Sequence, residues 1–248
     1  TAAGTINPAK QAGLRLGAYI YSYATSVEMA QQEADFVLNL IKDYPISFPV
    51  VFDAEDANTL GTLTQSQVSD VINAFCKRIQ DAGYYPMVYA NEYWIANKID
   101  MSKISYDIWV AKYQQKYTYS KTSMWQASNT GSVKGVNGNV DIDYLYKDYT
   151  QIIPGNTWRT IAGNRYYYQN HVMQKAAWIN DGQNWYYMNA AGNPSKGWLE
   201  LSAKKYYLEA DGHMITGWKT LDGGWRYFDA SGEQATGWRA VDGNWYFM

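Results

Sequence analysis

The feature that most constrains this chain is a period of 20 in its C-terminal part, where Trp158, Trp178, Trp198, Trp218 and Trp238 stand 20 residues apart. A second register, Trp185, Lys205, Trp225 and Trp245, keeps the same period and is followed by Tyr186–Tyr187, Tyr206–Tyr207, Arg226–Tyr227 and Tyr246–Phe247. Glycines follow it too: Gly197, Gly217 and Gly237 each precede a Trp, with Gly192, Gly212 and Gly232 five residues earlier. A unit this small cannot bury a core of its own, so successive copies must stack. Asp181–Gly182, Asp222–Gly223 and Asp242–Gly243 are dipeptides that a type I′ turn favours, which predicts one β-hairpin per unit. Lone hairpins are marginal in water, so most of the rings are expected to serve the stacking, with a minority exposed in grooves between hairpins. Residues 151–248 are therefore expected to form an all-β hairpin-repeat solenoid. Its first unit, around Trp158 and Tyr166–Tyr168, lacks the periodic glycines, as terminal repeats often do.

Composition says what such rings are suited to. The chain holds 24 Tyr and 11 Trp against only 6 Phe, so rings with polar handles dominate, and these suit sugar faces and cations as well as dry cores. Units such as GWKTLDGGWRYFDASGEQAT resemble cell-wall-binding repeats of the choline-binding type. That resemblance implies grooves in which an aromatic cage holds a quaternary ammonium group, here built from Trp218, Trp225, Trp238 and Trp245, with Tyr227 or Tyr246 as a further wall. Choline or another wall-polymer ligand is the partner so implied. Lys205 occupies a Trp position and would repel a cation, so one groove is expected to be empty of such a ligand.

Residues 1–150 follow a different pattern. Apolar strand-like runs at Leu16–Ala24, Phe48–Glu55, Pro86–Asn91, Asp107–Tyr113, Ser123–Ser128 and Val140–Tyr146 alternate with helical spacing. In Ser26–Tyr44 the apolar positions are Ala30, Ala34, Val37, Leu40 and Ile41. In Thr64–Ala82 they are Val68, Val71, Ile72, Phe75 and Ile79, with Thr64 as N-cap and Gly83 as stop. Alternation of this kind predicts an α/β domain with a right-handed parallel sheet.

The run FPVVFDAED ends such a strand with Asp53 and Glu55, and an i, i+2 pair on a strand points to the same face. Two carboxyls at the C-terminal end of a barrel strand can divide glycoside cleavage, one protonated to assist the leaving oxygen and one ionised to stabilise positive charge. A solvated or metal-binding acidic loop, with Asp56 adjacent, is the alternative, since D-x-E is short. AGLRLGAYIYSYATS, FPVVFDAED, AGYYPMVYANEYW, YDIWVAKY, MWQAS and GNVDIDYLY then follow in the order and spacing of glycoside hydrolase family 25 lysozymes, covering roughly residues 1–148. The resemblance implies a modified β/α barrel that cleaves the peptidoglycan glycan after N-acetylmuramic acid. Glu55 matches the proton donor, Asp53 its companion, and Asp141 a further active-site aspartate, with Asp143 as the fallback. Tyr21, Tyr23, Tyr89, Asn91, Trp109, Trp125 and Gln126 would line the sugar groove. The family's first strand, bearing a catalytic aspartate, and its second strand have no counterpart here, so the barrel is expected to lack its first strands. An open edge at Leu16–Ala24 then predicts self-association and weak or absent activity. A non-catalytic surface-binding protein with a crippled barrel is the competing reading.

Other classes are disfavoured. With 21 basic and 23 acidic residues and a net charge of −2, the sequence has no basic stripe for nucleic acid. The single cysteine, Cys76, sits on an apolar helical face and reads as an inert buried thiol. His171 and His213 lie in the repeats without ligand-like neighbours, so no metal or cofactor is expected. No run is long enough to span a membrane and no signal peptide is visible, though the resemblances imply a secreted protein of the bacterial wall or surface.

Overall fold

The computed structural model describes residues 9, 11–113, 115 and 117–248. The chain divides into two compact units, one of Thr1–Gly163 and Gln169–Val172, the other of Asn164–Tyr168 and Met173–Met248.

In the first unit six strands form one sheet in chain order: β1 (Leu16–Tyr21), β2 (Ile46–Asp53), β3 (Pro86–Asn91), β4 (Asp107–Ala111), β5 (Thr122–Gly131) and β6 (Val140–Leu145). Neighbours from β1 to β5 are parallel, but β5 and β6 pair antiparallel. The all-parallel expectation fails there for a physical reason. A parallel crossover needs a dozen or more residues, whereas the short link between β5 and β6 carries the left-handed glycines Gly135 and Gly138, and can only turn back. Among the described residues, β1 and β6 are outer strands of an open sheet.

Helices α1 (Val27–Ile41) and α2 (Gln65–Asp81) connect the first three strands, and the short α3 (Glu92–Asn97) follows β3. Ser26 caps α1 by accepting from the Met29 N–H. Thr64 and Gln67 form a reciprocal capping box on α2. Buried Ala34, Val37, Leu38 and Ile41 of α1 and Val68, Ile72, Phe75 and Ile79 of α2 face inward, whereas Leu40, expected with them, is exposed. Phe52 of β2 meets Phe75 at 5.2 Å, and both are fully buried, as is Cys76, whose thiol burial pushes strongly toward the neutral form.

Strand alternation sends the other set of side chains to the opposite face, where Val51, Met87, Tyr89, Ala111, Tyr149 and Ile153 make a second core. At the N-terminal end of the strands this face is tied by Asp107, which accepts from Tyr85 (2.9 Å), Tyr149 (2.8 Å) and Lys147 (2.8 Å). Burial alone would raise the Asp107 pKa, but these donors hold it below the usual carboxylate value.

The first unit continues past residue 150. Strand β7 (Thr157–Ile161) carries Arg159, 1% exposed, whose guanidinium lies 4.0 Å over the Tyr84 ring while its Nε donates to the Gly83 carbonyl. Thr160 N–H also donates to the Ala82 carbonyl, so this strand is fastened to the end of α2.

After β8 (Asn164–Gln169) and β9 (Val172–Met173), the second unit consists of four antiparallel hairpins. These are β10 (Ala177–Asn180) with β11 (Trp185–Met188), β12 (Gly197–Leu201) with β13 (Lys204–Leu208), β14 (Gly217–Leu221) with β15 (Gly224–Phe228), and β16 (Trp238–Val241) with β17 (Asn244–Phe247). Met188, Leu208 and Phe228, again 20 apart, are fully buried where each hairpin meets the next segment. Gly232 is favoured there by its left-handed φ of 81°, and a Cβ would also force the Met214 side chain to move.

Asp222–Gly223 and Asp242–Gly243 form the expected two-residue turns with positive φ at both positions. Asp181–Gly182 does not. It lies one position earlier in its repeat, so the hairpin closes from Asn180 to Trp185 over a four-residue loop. Asp181 there accepts from the Gln183 and Asn184 N–H groups instead of entering the left-handed region. In the β12–β13 hairpin Ser202 and Ala203 occupy the left-handed turn positions without a glycine.

Candidate functional site

Sequence-distant residues meet at the C-terminal ends of the parallel strands. A cavity of about 140 Å³ is lined by Tyr19 of β1, Asp53 of β2, Tyr89 of β3, Trp109 of β4, Gln126 of β5 and Asp141 of β6. Each is on the helix-free face of its strand, so one periodicity delivers all six. The Tyr89 hydroxyl donates to Gln126 Oε1 at 2.7 Å, Tyr113 donates to the same oxygen at 3.0 Å, and the Tyr89 and Trp109 rings meet edge-on at 4.8 Å.

Asp53 is the last residue of β2 and is 9% exposed, with its Oδ1 buried and given no hydrogen bond. Burial first, then the negative charge of Glu55, pushes its pKa up to about 7. Glu55 lies just past the strand, so the two carboxyls do not share a pleat as a continued strand would require. Burial raises the Glu55 pKa as well, opposed by hydrogen bonds from Asn91, whose N–H donates to Oε1 at 2.9 Å. Burial thus raises both carboxyls, with Asp53 rather than Glu55 lining the cavity. Asp141 lines it also, while Asp143 accepts from Trp109 Nε1 at 2.8 Å and has its pKa raised mainly by burial.

Of the other residues singled out, Tyr89, Trp109 and Gln126 line the cavity. Asn91 caps α3 by accepting from the Trp94 N–H and holds Glu55, so it positions that carboxyl. Tyr21 donates to Asp56 (3.3 Å), and the exposed Tyr23 packs edge-on against it; neither lines the cavity. Trp125 is a correction: one residue before Gln126, it faces the other side of β5, stacks on Tyr144 at 5.2 Å and donates to the Lys112 carbonyl. Tyr19 was missed, although it has the same strand parity as Tyr21 and Tyr23.

The repeats build a different kind of site. Trp218, Trp225 and Tyr246 converge, with Trp218 6.3 Å from Trp225 and 4.9 Å from Tyr246. Forty residues earlier Trp178, Trp185 and Tyr206, with Met214, line a cavity of about 340 Å³, and Trp178 and Tyr206 meet at 5.0 Å. The groove rule is two Trp seven apart in one hairpin and a Tyr from the next. Tyr227 is therefore backing rather than wall: it is the cross-strand partner of Trp218, as Tyr187 is of Trp178. Trp238 and Trp245 belong to the following position of the series, with Trp238 against Phe247 at 5.5 Å.

The chain belongs to glycosyl hydrolases family 25, whose profile matches residues 1–136. Choline-binding repeat profiles match residues 215–248, and cell wall binding repeat profiles match 177–193 and 196–214. Among curated proteins it is 28% identical over 138 residues to the uncharacterized protein YegX of Escherichia coli O157:H7, covering 54% of this chain and 49% of that one. The chain thus spans about half the length of the curated relatives it matches. Among solved structures, the CTP1L endolysin aligns with 26% identity and a TM-score of 0.52 over 61% of this chain and 54% of that one. A multimodular pneumococcal cell wall endolysin from phage Cp-1, complexed with choline, aligns over 94% of this chain and 70% of that one, with 26% identity and a TM-score of 0.42. No helix among the described residues is long and apolar enough to cross a membrane.

Proposed function

We propose that this protein is a muramidase that cleaves the peptidoglycan glycan after N-acetylmuramic acid and is held at the bacterial wall by its repeats. The observation that carries this reading is the Asp53–Glu55 pair: two desolvated carboxyls at strand ends, beside Tyr89 and Trp109, with Asp141 across the cavity. Glu55 is the proton donor, aimed by Asn91. Asp53 and Asp141 shape the charge around the oxocarbenium-like transition state. The first unit supplies the chemistry and the hairpin repeats the grip, with choline or a similar quaternary ammonium in the grooves of Trp178/Trp185/Tyr206 and Trp218/Trp225/Tyr246. Such a protein acts outside the cytoplasm, so secretion belongs to the same reading.

Glu55→Gln is expected to reduce wall clearing by about 10²–10⁴-fold, the usual scale for a general acid, without lowering sedimentation with walls. Clearing at the parental rate would overturn the assignment. A second reading, a surface-binding protein without turnover, is favoured by Tyr19 of the cavity, which is 69% exposed. A parental chain that sediments with walls yet releases no reducing sugar would establish it. Self-association through β1 is the corresponding expectation for the open edge, and light scattering reads it directly.

A further inference from the structure

The middle groove of the repeats has the same scaffold as its neighbours and different chemistry. In the groove before it, Met214 N–H donates to the Trp185 carbonyl at 2.7 Å; in the middle groove, Gln234 N–H donates to the Lys205 carbonyl at the same distance. The lining positions correspond one for one at a shift of 20: Trp178, Trp185, Tyr206 and Met214 become Trp198, Lys205, Arg226 and Gln234. One aromatic face is kept. The other ring positions carry cations, and the methionine is an amide. The cavity holds about 450 Å³, enough for a monosaccharide unit, and Leu199, Glu200 and Asp222 complete its lining.

These polar groups are not spent on one another in ion pairs. Arg226 donates one hydrogen bond, to the Trp225 carbonyl at 3.1 Å, which leaves most of its guanidinium fork for a ligand. Asp222 accepts from Trp198 Nε1 at 3.2 Å, so it holds the indole in place. Trp198 is 42% exposed. A quaternary ammonium is a poor occupant beside Lys205 and Arg226. The set suits a ring that stacks, hydroxyls that donate to carboxylates, and an oxyanion that accepts from two cations.

We propose that this groove is a separate binding site for an acidic sugar unit. The ring stacks on Trp198, Glu200 and Asp222 accept from its hydroxyls, and its phosphate or carboxylate sits between Lys205 and Arg226. The site needs neither the choline reading nor the muramidase reading, since it shares no side chain with the ammonium grooves or the carboxylate pair.

The test is calorimetric titration of the full chain with glucose 6-phosphate, glucuronate and, as the uncharged control, glucose. Saturable binding of at least one anionic sugar, with glucose at least about tenfold weaker, is expected from the loss of charge-assisted bonds. Preference between the two anionic probes identifies phosphate or carboxylate as the oxyanion. Lys205→Gln with Arg226→Gln, both at exposed or half-buried positions, should weaken that binding about tenfold or more and leave the response to choline unchanged. The triple replacement Lys205→Trp, Arg226→Tyr and Gln234→Met should abolish it and add one choline equivalent. Absence of binding by both anionic sugars, or equal binding by the Lys205→Gln/Arg226→Gln protein, would overturn the proposal.

Discussion

The two units bury their apolar residues in opposite ways. In the first, Phe52 of β2 packs on Phe75 of α2, and the opposite face joins Val51, Met87, Ala111 and Tyr149, so each core draws on residues far apart in the chain. In the second, Met188, Leu208 and Phe228 each close one hairpin against the next segment, and the small cluster of Ile215, Leu221 and Phe228 is local. The difference teaches that the sites inherit the connectivity of their cores. The carboxylate cavity needs six strands at once, whereas each groove needs two successive hairpins.

The comparison is most easily broken by a core truncation in each unit. Phe52→Ala is expected to cost about 3–5 kcal/mol and to unfold the first unit as a whole. Leu208→Ala, costing about 2–5 kcal/mol, should loosen its neighbouring hairpins while leaving the first unit's melting transition in place. Calorimetry of both proteins decides it; a common shift of every transition by Leu208→Ala would show that the repeats are not a local series.

A second prediction uses pH. Asp53 binds its proton more tightly in the folded protein, with a pKa of about 7, than in an unfolded chain, where it is near 3.8. A folded state that binds more protons loses stability as pH rises, so the cost of ionising Asp53 accumulates between about pH 4 and pH 7 and is complete above that. Asp53→Asn should remove this slope, so that the first unit of the variant melts a few degrees higher than the parent at pH 8 and about equally at pH 4. A parental slope in the variant would assign the effect to other groups.

Smaller effects belong to the repeats. Trp218→Ala removes one wall of one groove, so choline affinity of that groove should fall by about tenfold, while the groove of Trp178, Trp185 and Tyr206 keeps its own. Ala203→Gly should stabilise the second unit by about 0.5–1 kcal/mol, because Ala203 sits at φ 65° where Gly223 serves in the next hairpin. A destabilised variant would mean that the Ala203 methyl is needed for packing.

Much of this was legible because periodicity survives in the sequence. All six strands and both long helices follow from alternation, Thr64 reads as the N-cap of the second helix, and the groove residues recur at fixed intervals. Boundaries were less so. The strand read as Leu16–Ala24 stops at Tyr21 because the Glu33 carboxylate accepts from the Ser22 hydroxyl and the Tyr23 N–H, drawing the chain off the ladder. Trp125 was misplaced because an aromatic beside a glutamine says nothing about which of the two faces inward. The same parity argument, applied one step further back, would have found Tyr19. The end of the first unit was hidden because Arg159 reads as a surface charge until Tyr84 and the Gly83 carbonyl are seen around it. That Asn91 opposes the rise at Glu55 follows from a contact no spacing reveals.

The groove rule, two Trp from one hairpin and a Tyr from the next, places like sites two repeats apart on one unit. A ligand that repeats along a polymer can then engage the second site while the first still holds, at an effective concentration set by the tether rather than by the solution. Individually weak contacts then give long residence, and release of one leaves the other to keep the chain on the strand. Movement along the polymer becomes a sequence of partial detachments. On the proposed function, the spacing of the hairpins, more than the strength of any cage, sets how long the protein stays on a wall polymer.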